Sequence, residues 1–159
     1  MVLGAVISLF LTGCGADSSR QESSNADLDI AMVERMNRVP PRPLSLDVIT
    51  ASDIAHFGLA AMNCTFSSAN IEPVFMGGAN DGVIKVDGDL QRLAARTQSA
   101  ELPGDARTVY VGPDRWAELS RLPDAGTGAG RNRFPARLTI HDAHERIVFI
   151  SDGVVHCAG

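Results

Sequence analysis

Short apolar segments separated by turn residues fill the chain from residue 63 onward. Apolar or β-branched runs recur at intervals of about ten residues, at 63–66, 74–76, 83–86, 90–93, 108–111, 137–140, 147–150 and 154–157. Short strands at this spacing are typical of antiparallel sandwiches and small barrels. The pattern predicts a mainly β domain, an antiparallel small barrel or a sandwich of about eight short strands.

Residues 114–122 fit two kinds of element. Trp116, Leu119 and Leu122 would share one helical face after Pro113. A helix here would interrupt a regular succession of strands, so we predict a strand. Two hairpins are also indicated: Asp87-Gly88 is a favoured two-residue turn whose register the flanking apolar positions leave open, and residues 142–145 join the runs at 137–140 and 147–150.

The domain is expected to open with one short helix within residues 47–58. Thr50 suits the N-cap position and Asp53 follows it at the third helical position, where a carboxylate completes a capping box. Gly58 suits a left-handed stop at the other end.

The segment before the domain is polar. Residues 15–25 are too poor in apolar side chains to offset the entropy of ordering, which predicts disorder. Leu28, Met32 and Met36 then recur at helical spacing, with Asn25 as a candidate N-cap. The short amphipathic helix so predicted is either a transient helix within a linker or a helix that docks on the domain or on a partner.

Prolines mark the end of this segment. Residues 39–43 contain three of them and suit a short polyproline II spacer, so we place the domain boundary at 40–43. The resulting division is a tether over 14–45 and a β-rich domain over 46–159.

The first residues of the chain have the features of a targeting signal. Residues 1–11 form an uncharged apolar run, far shorter than the ~20 residues that a membrane-spanning helix needs. The run ends in Leu11-Thr12-Gly13-Cys14, which resembles the lipobox of bacterial lipoproteins. The resemblance implies that residues 1–13 are a lipoprotein signal peptide, that Cys14 is diacylated, and that its new amino terminus is acylated, with palmitate among the chains.

Two further features bear on this predicted signal peptide. No Lys or Arg precedes the apolar run, although signal peptides use a positive start for orientation, so we expect the true start to lie upstream of Met1. Gly15 follows the cysteine where Asp would retain a lipoprotein at the inner membrane. The resemblance therefore implies an outer-membrane lipoprotein that faces the periplasm, with the membrane as its partner through the acyl chains.

The composition excludes one class of partner. The chain has 159 residues, a net charge of -5 and 21% charged residues. A dedicated nucleic-acid binder would show a basic face, so no nucleic acid is expected as a partner. An envelope protein partner is compatible with the sequence, which does not identify one.

The two cysteines of the domain are candidates for a disulfide bond. Cys64 lies in the first predicted strand and Cys157 in the last, and both would be on the oxidising, exported side. We predict a structural disulfide between Cys64 and Cys157. Because it would close a loop of about 92 residues, it would stabilise the domain by about 4 to 5 kcal/mol.

The residues that could carry chemistry do not form a recognisable site. His141, His144 and His156 could in principle converge on a metal, but the HDAHE sequence is not a helical HExxH motif, and we expect exposed turn histidines. The glycine string at 126–130 follows no strand, no GxSxG is present, and Asp87 and Asp89 lie on a turn. We therefore predict no catalytic residue, no metal ligand and no cofactor.

Tyr110 and Trp116 are the large amphipathic aromatics. Both types favour interfaces, but in a small domain of a chain with 5% aromatic residues core packing is the favoured use.

Residues 49–159 look like the domains of uncharacterised Gram-negative lipoproteins, through an early and a late cysteine and a Tyr-Val-Gly step at 110–112. That resemblance brings no activity. More distantly, the chain resembles membrane-bound inhibitors of C-type lysozyme, whose Ser-Gly-x-x-Tyr segment enters the lysozyme cleft; here residues 103–110 hold Gly104 and Tyr110 at a different spacing. We expect a non-enzymatic envelope lipoprotein, a binding or structural module. The alternatives are a lysozyme inhibitor and an enzyme with an unrecognised site.

Overall fold

The computed structural model describes residues 16–37, 39–68, 72–123 and 130–158, with side chains from Ala26 onward. The predicted signal peptide, the predicted lipobox with Cys14, and residues 126–129 of the glycine string lie outside the described residues. The chain divides into two compact units, Met1–Pro40 and Pro41–Gly159. The second unit therefore begins within the proline-rich stretch, five residues before residue 46.

The first unit contains helix α1, Ala16–Met36. Residues 16–25, predicted to be disordered, are helical, and Asn25 lies inside the helix rather than at its N-cap. These residues have little apolar surface to bury, but extending a helix from a formed turn costs little, because each added residue gains a backbone hydrogen bond. Leu28, Met32 and Met36 are exposed. Among the helices of the described residues, none combines the length and the apolar character needed to cross a membrane.

The second unit is a closed antiparallel barrel in which each strand pairs with the next and the last pairs with the first. This confirms the mainly β prediction and decides for a barrel over a sandwich. The eight strands are β1 (Cys64–Ser67), β2 (Phe75–Gly77), β3 (Asp81–Val86), β4 (Asp89–Ala95), β5 (Val109–Val111), β6 (Arg115–Arg121), β7 (Arg133–Asp142) and β8 (Ile147–Cys157).

Two local predictions have opposite outcomes. The ambiguous segment 114–122 is a strand, β6, as predicted. The runs 147–150 and 154–157, predicted as separate strands, are one continuous strand, β8. The pairing of β8 with β7 runs without a break through Gly153, which lies opposite Ala136. A Cβ atom on Gly153 would lie 2.2 Å from the carbonyl oxygen of Ser67 and 2.8 Å from the Phe66 ring. The glycine is a point of close approach between β8 and β1 and does not mark a turn.

The barrel interior is filled around Tyr110. Its ring is fully buried and meets Phe75 edge-to-face, with centroids 5.2 Å apart. Its hydroxyl donates to the carbonyl of Gly78 at 2.9 Å and accepts from the backbone N–H of Arg107 at 2.8 Å. Tyr110 thus packs in the core as predicted. The ring fits because Gly77 carries no side chain: a Cβ there would lie 2.6 Å from the Tyr110 hydroxyl.

Helix α2 (Ala51–His56) is the short helix expected at the start of the domain. Thr50 caps it in a complete capping box with Asp53, and Gly58 adopts the left-handed conformation with φ of 64°, both as predicted. The helix leads into a one-turn 3-10 helix, Leu59–Ala61. Together they cover a second, smaller core on the outer side of β2 and β3, made of Ile49, Leu59, Met62, Met76 and Val83.

One ion pair connects α2 to the barrel. Lys85 on β3 donates to both carboxylate oxygens of Asp53, at 3.1 and 2.9 Å. This hydrogen-bonded ammonium, followed by the two hydrogen bonds from Thr50, lowers the pKa of Asp53 to about 2. Asp53 therefore serves both the helix cap and the contact between helix and barrel.

The predicted disulfide is present. Cys64 on β1 and Cys157 on β8 are direct register partners with Cα atoms 4.0 Å apart, and both are buried. The bond joins the first and last strands, at the seam where the barrel closes.

Candidate functional site

The chain enters the second unit across one end of the barrel. Leu44 N–H donates to the carbonyl of Val148 on β8, and Asp47 N–H to that of Lys85 on β3, both at 2.8 Å. The side chains of Leu44 and Leu46 pack against the core. The entry segment, residues 41–47, therefore spans this end from β8 to β3 and covers it with apolar side chains.

A cleft of about 240 Å³ lies beside the entry segment, and we call it the end cleft. Three parts of the chain line it. They are the entry segment, the β5–β6 turn and the β7–β8 hairpin, which contribute Arg42, Pro43, Leu44, Asp114, Arg115, Asp142, Arg146 and Val148.

The β5–β6 turn holds Arg115 in place. The turn closes through the Gly112 N–H, which donates to the carbonyl of Arg115 at 2.8 Å. The Arg115 guanidinium donates to both oxygens of Asp114, from Nε at 3.2 Å and from Nη2 at 2.8 Å. This pairing lowers the pKa of Asp114. The Arg115 side chain is 18% exposed and that of Asp114 is 61% exposed. The Arg115 guanidinium therefore lies against the barrel end, and the Asp114 carboxylate faces solvent.

Asp142 organises the β7–β8 hairpin. Its carboxylate accepts from the backbone N–H groups of His144 and Arg146, at 2.9 and 3.0 Å, and from Nε of Arg146 at 2.8 Å. The side-chain hydrogen bond from Arg146 is the main cause that lowers the pKa of Asp142 to about 2. The carboxylate is therefore ionised at neutral pH, and it fixes both the turn backbone and the Arg146 guanidinium.

The end cleft contains more positive than negative groups. Three guanidiniums, of Arg42, Arg115 and Arg146, face two carboxylates, which the paired arginines already engage. Arg42 forms no hydrogen bond or ion pair with any residue that the structure describes. Arg115 uses two of its N–H groups on Asp114. Its remaining N–H donors are unmatched within the described part of the chain.

A β-bulge shapes the apolar side of the end cleft. Ile140 pairs with Phe149 and His141 with Ile147, which leaves Val148 as the extra residue of β8. A bulge of this kind re-aims one side chain relative to the regular alternation. Val148 consequently packs toward the core and lines the end cleft beside Leu44, while Ile147 remains 51% exposed on the outside.

An outward-facing row of apolar and aromatic side chains crosses the outer wall next to the end cleft. Val111, Trp116, His141 and Ile147 are successive register partners across β5, β6, β7 and β8. The Trp116 and His141 rings stack with centroids 3.8 Å apart and an interplanar angle of 1°. Trp116 was predicted in the core and this is wrong: it lies at an outward-facing position of β6, half-buried against His141.

The other residues singled out from the sequence lie apart. His144 and His156 are exposed, in the β7–β8 turn and on β8, and His141 is half-buried under Trp116. Within the described ranges no group of three or more His, Cys, Asp and Glu residues is placed to hold a metal ion. Asp87 and Asp89 are exposed on the β3–β4 hairpin, as expected for solvated turn carboxylates.

The segment compared with the lysozyme inhibitors also has a structural role. Pro103–Asp105 is a one-turn 3-10 helix whose Gly104 carbonyl accepts from the Asn63 side chain at 2.9 Å. Tyr110 is fully buried. A tyrosine in the barrel core is not presented to another protein, so this segment lends no support to an inhibitory role.

Sequence reasoning missed the arginines of the end cleft. Isolated arginines in a chain with 13 of them carry no distinguishing pattern. The one available signal was local: Asp142 and Arg146 flank a hairpin turn, and Asp114-Arg115 follows Pro113 at the start of a strand. Only the fold brings these two turns and the entry segment to the same barrel end.

The second unit is thus a small disulfide-closed antiparallel β-barrel with an arginine-lined cleft at the end where the chain enters. Comparison with protein-family models, with curated proteins and with solved structures gives no match for this chain.

Proposed function

We propose that this protein is a lipid-anchored binding module of the bacterial cell envelope, held at the periplasmic face of the outer membrane by acyl chains on Cys14. The observation that carries the proposal is the buried disulfide between Cys64 and Cys157. Disulfides form and persist in oxidising compartments such as the periplasm and are rare in the cytosol. The bond therefore supports export of the domain.

The sequence supports the mode of attachment. Leu11-Thr12-Gly13-Cys14 follows an apolar run and precedes a polar segment, the arrangement of a lipoprotein signal. Gly15 in place of Asp favours the outer membrane. Several acyl chains on one residue would make the attachment effectively permanent, since each buried CH₂ contributes roughly 0.8 kcal/mol.

The binding role is proposed from the surface of the barrel. A cleft that combines unmatched arginine donors with apolar side chains is a common form of ligand site. The outward-facing row with Trp116 adds a surface of the kind that proteins use at interfaces. We propose no catalytic role for these residues.

Metabolic labelling with radioactive palmitate tests the anchor. We expect the wild-type protein and a Thr12→Ser control to take up label and to stay with the outer membrane after a carbonate wash. A Cys14→Ser variant should take up no label and should not stay with the membrane. Recovery of Cys14→Ser in the washed membrane fraction, or absence of label from the wild type, would refute the proposal.

Thiol alkylation of the denatured protein without reductant tests export independently. We expect Cys64 and Cys157 to react only after reduction when the protein is taken from cells with its signal peptide intact. With residues 1–13 deleted, the protein should stay in the cytosol, and both thiols should react at once. Free thiols in the wild-type protein would contradict an oxidising compartment.

A further inference from the structure

We propose that the end cleft binds a small ligand that carries one carboxylate beside an apolar group, such as a free monocarboxylic acid or the C-terminal residue of a peptide. This inference names a ligand class for the binding module and rests on the proposed binding role. It does not depend on the lipid anchor.

The charges of the end cleft favour a ligand with a single negative charge. The lining has three guanidiniums and two carboxylates, and the low pKa of Asp142 keeps that carboxylate ionised. One positive charge is therefore left without a partner. A monocarboxylate balances it, whereas a dianionic phosphate would bring a second charge close to Asp114 and Asp142.

The donors of the end cleft suit a carboxylate. A guanidinium presents N–H groups in a planar fork that matches the two oxygens of a carboxylate. All N–H donors of the Arg42 guanidinium are available to a ligand, because Arg42 has no partner among the described residues. Arg115 adds the N–H groups that Asp114 does not use. Two guanidiniums with unmatched donors thus border the same cleft.

The rest of the lining suits an apolar group of limited size. Pro43, Leu44 and Val148 form this side of the end cleft. Its volume of about 240 Å³ is below the ~300–1,000 Å³ of pockets that enclose drug-sized ligands. The space fits a small molecule or one terminal residue of a longer chain.

The backbone at Arg42 and the side chains of Arg115 and Arg146 are organised before a ligand arrives. Pro41 and Pro43 restrict the backbone around Arg42, because proline fixes φ and also restricts the residue before it. Arg115 and Arg146 are held by Asp114 and Asp142. Groups that are already held in place lose less entropy on binding.

The test uses N-acetyl-L-leucine as probe and N-acetyl-L-leucinamide as its uncharged match. Backbone NMR shifts of the full chain, purified in mild detergent, follow each titration. We expect shifts at the end cleft with the acid, and binding of the amide and of inorganic phosphate weaker by about tenfold or more. Equal binding of acid and amide, equal binding of phosphate, or absence of shifts at millimolar acid would overturn the proposal.

Arg42→Gln and Arg96→Gln form a matched pair of variants. Both remove one exposed arginine, but Arg96 does not line the end cleft. We expect Arg42→Gln to weaken binding of the acid by about tenfold, equal to ~1.4 kcal/mol, and Arg96→Gln to leave it unchanged. Equal losses would mean that the acid responds only to the overall charge, and the local site would be refuted.

Two tripeptides ending in leucine, one with a free and one with an amidated C-terminus, distinguish the two sources of the carboxylate. Binding of the free tripeptide assigns the site to peptide ends, and binding of N-acetyl-L-leucine alone assigns it to small acids. Failure of every carboxylate probe refutes the ligand class without affecting the palmitate labelling of Cys14. A failed labelling experiment in turn leaves these titrations interpretable.

Discussion

Replacing Tyr110 by phenylalanine tests how the barrel interior is held together. The change keeps the ring and its edge-to-face contact with Phe75 and removes only the hydroxyl. That hydroxyl is the partner of the Gly78 carbonyl and of the Arg107 backbone N–H, at 2.9 and 2.8 Å. A buried donor or acceptor that loses its partner costs about 1 to 3 kcal/mol. With two such groups, we expect Tyr110→Phe to lower the free energy of unfolding by about 2 to 6 kcal/mol.

The hydroxyl also limits what position 77 tolerates, which allows a sharper test. A Cβ atom on Gly77 would lie 2.6 Å from the Tyr110 oxygen and 3.0 Å from Phe75 Cε1 and Tyr110 Cζ. Overpacking of this kind costs about 1 to 3 kcal/mol. Because Tyr110→Phe removes the nearest of these atoms, Gly77→Ala should cost about 1 kcal/mol less in the phenylalanine background.

Urea denaturation of the four proteins, with the disulfide intact in each, measures both effects. The disulfide constrains every unfolded state in the same way, so differences in midpoint at constant m-value report the folded state. If Tyr110→Phe changed stability by less than about 0.5 kcal/mol, its hydrogen bonds would not be significant. If the costs of the two substitutions simply added, the packing of the hydroxyl against position 77 would be refuted.

Stability at alkaline pH gives an independent measure of what the buried Tyr110 hydroxyl contributes to the free energy of unfolding. Burial raises the pKa of Tyr110 from 10.0 to about 12. The unfolded chain releases this proton first, so the stability from the buried neutral tyrosine is complete below pH 10 and is lost as pH rises to about 12. The loss amounts to about 3 kcal/mol for two pKa units. The advantage of the wild type over Tyr110→Phe should therefore shrink across this range.

Three further outcomes follow from the fold. Replacing both cysteines of the disulfide by alanine should lower stability by about 4 to 5 kcal/mol, since the bond spans 93 residues, and chemical denaturation checks this. Gly153→Ala should cost about 3 kcal/mol or more in the same assay, because a Cβ would lie 2.2 Å from the Ser67 carbonyl, whereas Gly130→Ala, with open space around its Cβ, should stay within about 0.5 kcal/mol. Lys85→Gln should raise the pKa of Asp53 from about 2 toward 3.8 in a ¹³C NMR titration. The wild type keeps this contribution above pH 3.8 and loses it as pH falls to about 2, so an unchanged acid transition in Lys85→Gln would contradict the ion pair.

Local patterns predicted the elements whose cause is local. The capping box of Thr50 and Asp53 and the turn at Asp87-Gly88 depend on side chains and backbone within a few residues. The strands themselves follow from alternating apolar runs, and the pairing of Cys64 with Cys157 followed from their places in the first and last strands. These predictions hold because the rest of the fold adds nothing that would compete with them.

Other features required the closed barrel. Gly153 carries the same local signal as a turn glycine, and only its pairing with Ala136 on β7 places it within a continuous strand. Trp116 faces outward because β6 pairs with β7 in a register that puts Ala117 and Leu119 inside. A shift of one residue in that register would reverse both faces, and sequence alternation alone did not decide it.

The sequence by itself determined the β class, the disulfide partners and the helix cap, because each depends on residue type at short spacing or on the order of the strands. The tertiary structure alone decided the closure into a barrel, the outward position of Trp116, and the end cleft. Arg42, Arg115 and Arg146 come from three segments far apart in the chain, and no local interaction relates them. They meet because closing the sheet brings the β5–β6 and β7–β8 turns to the end that the entry segment covers.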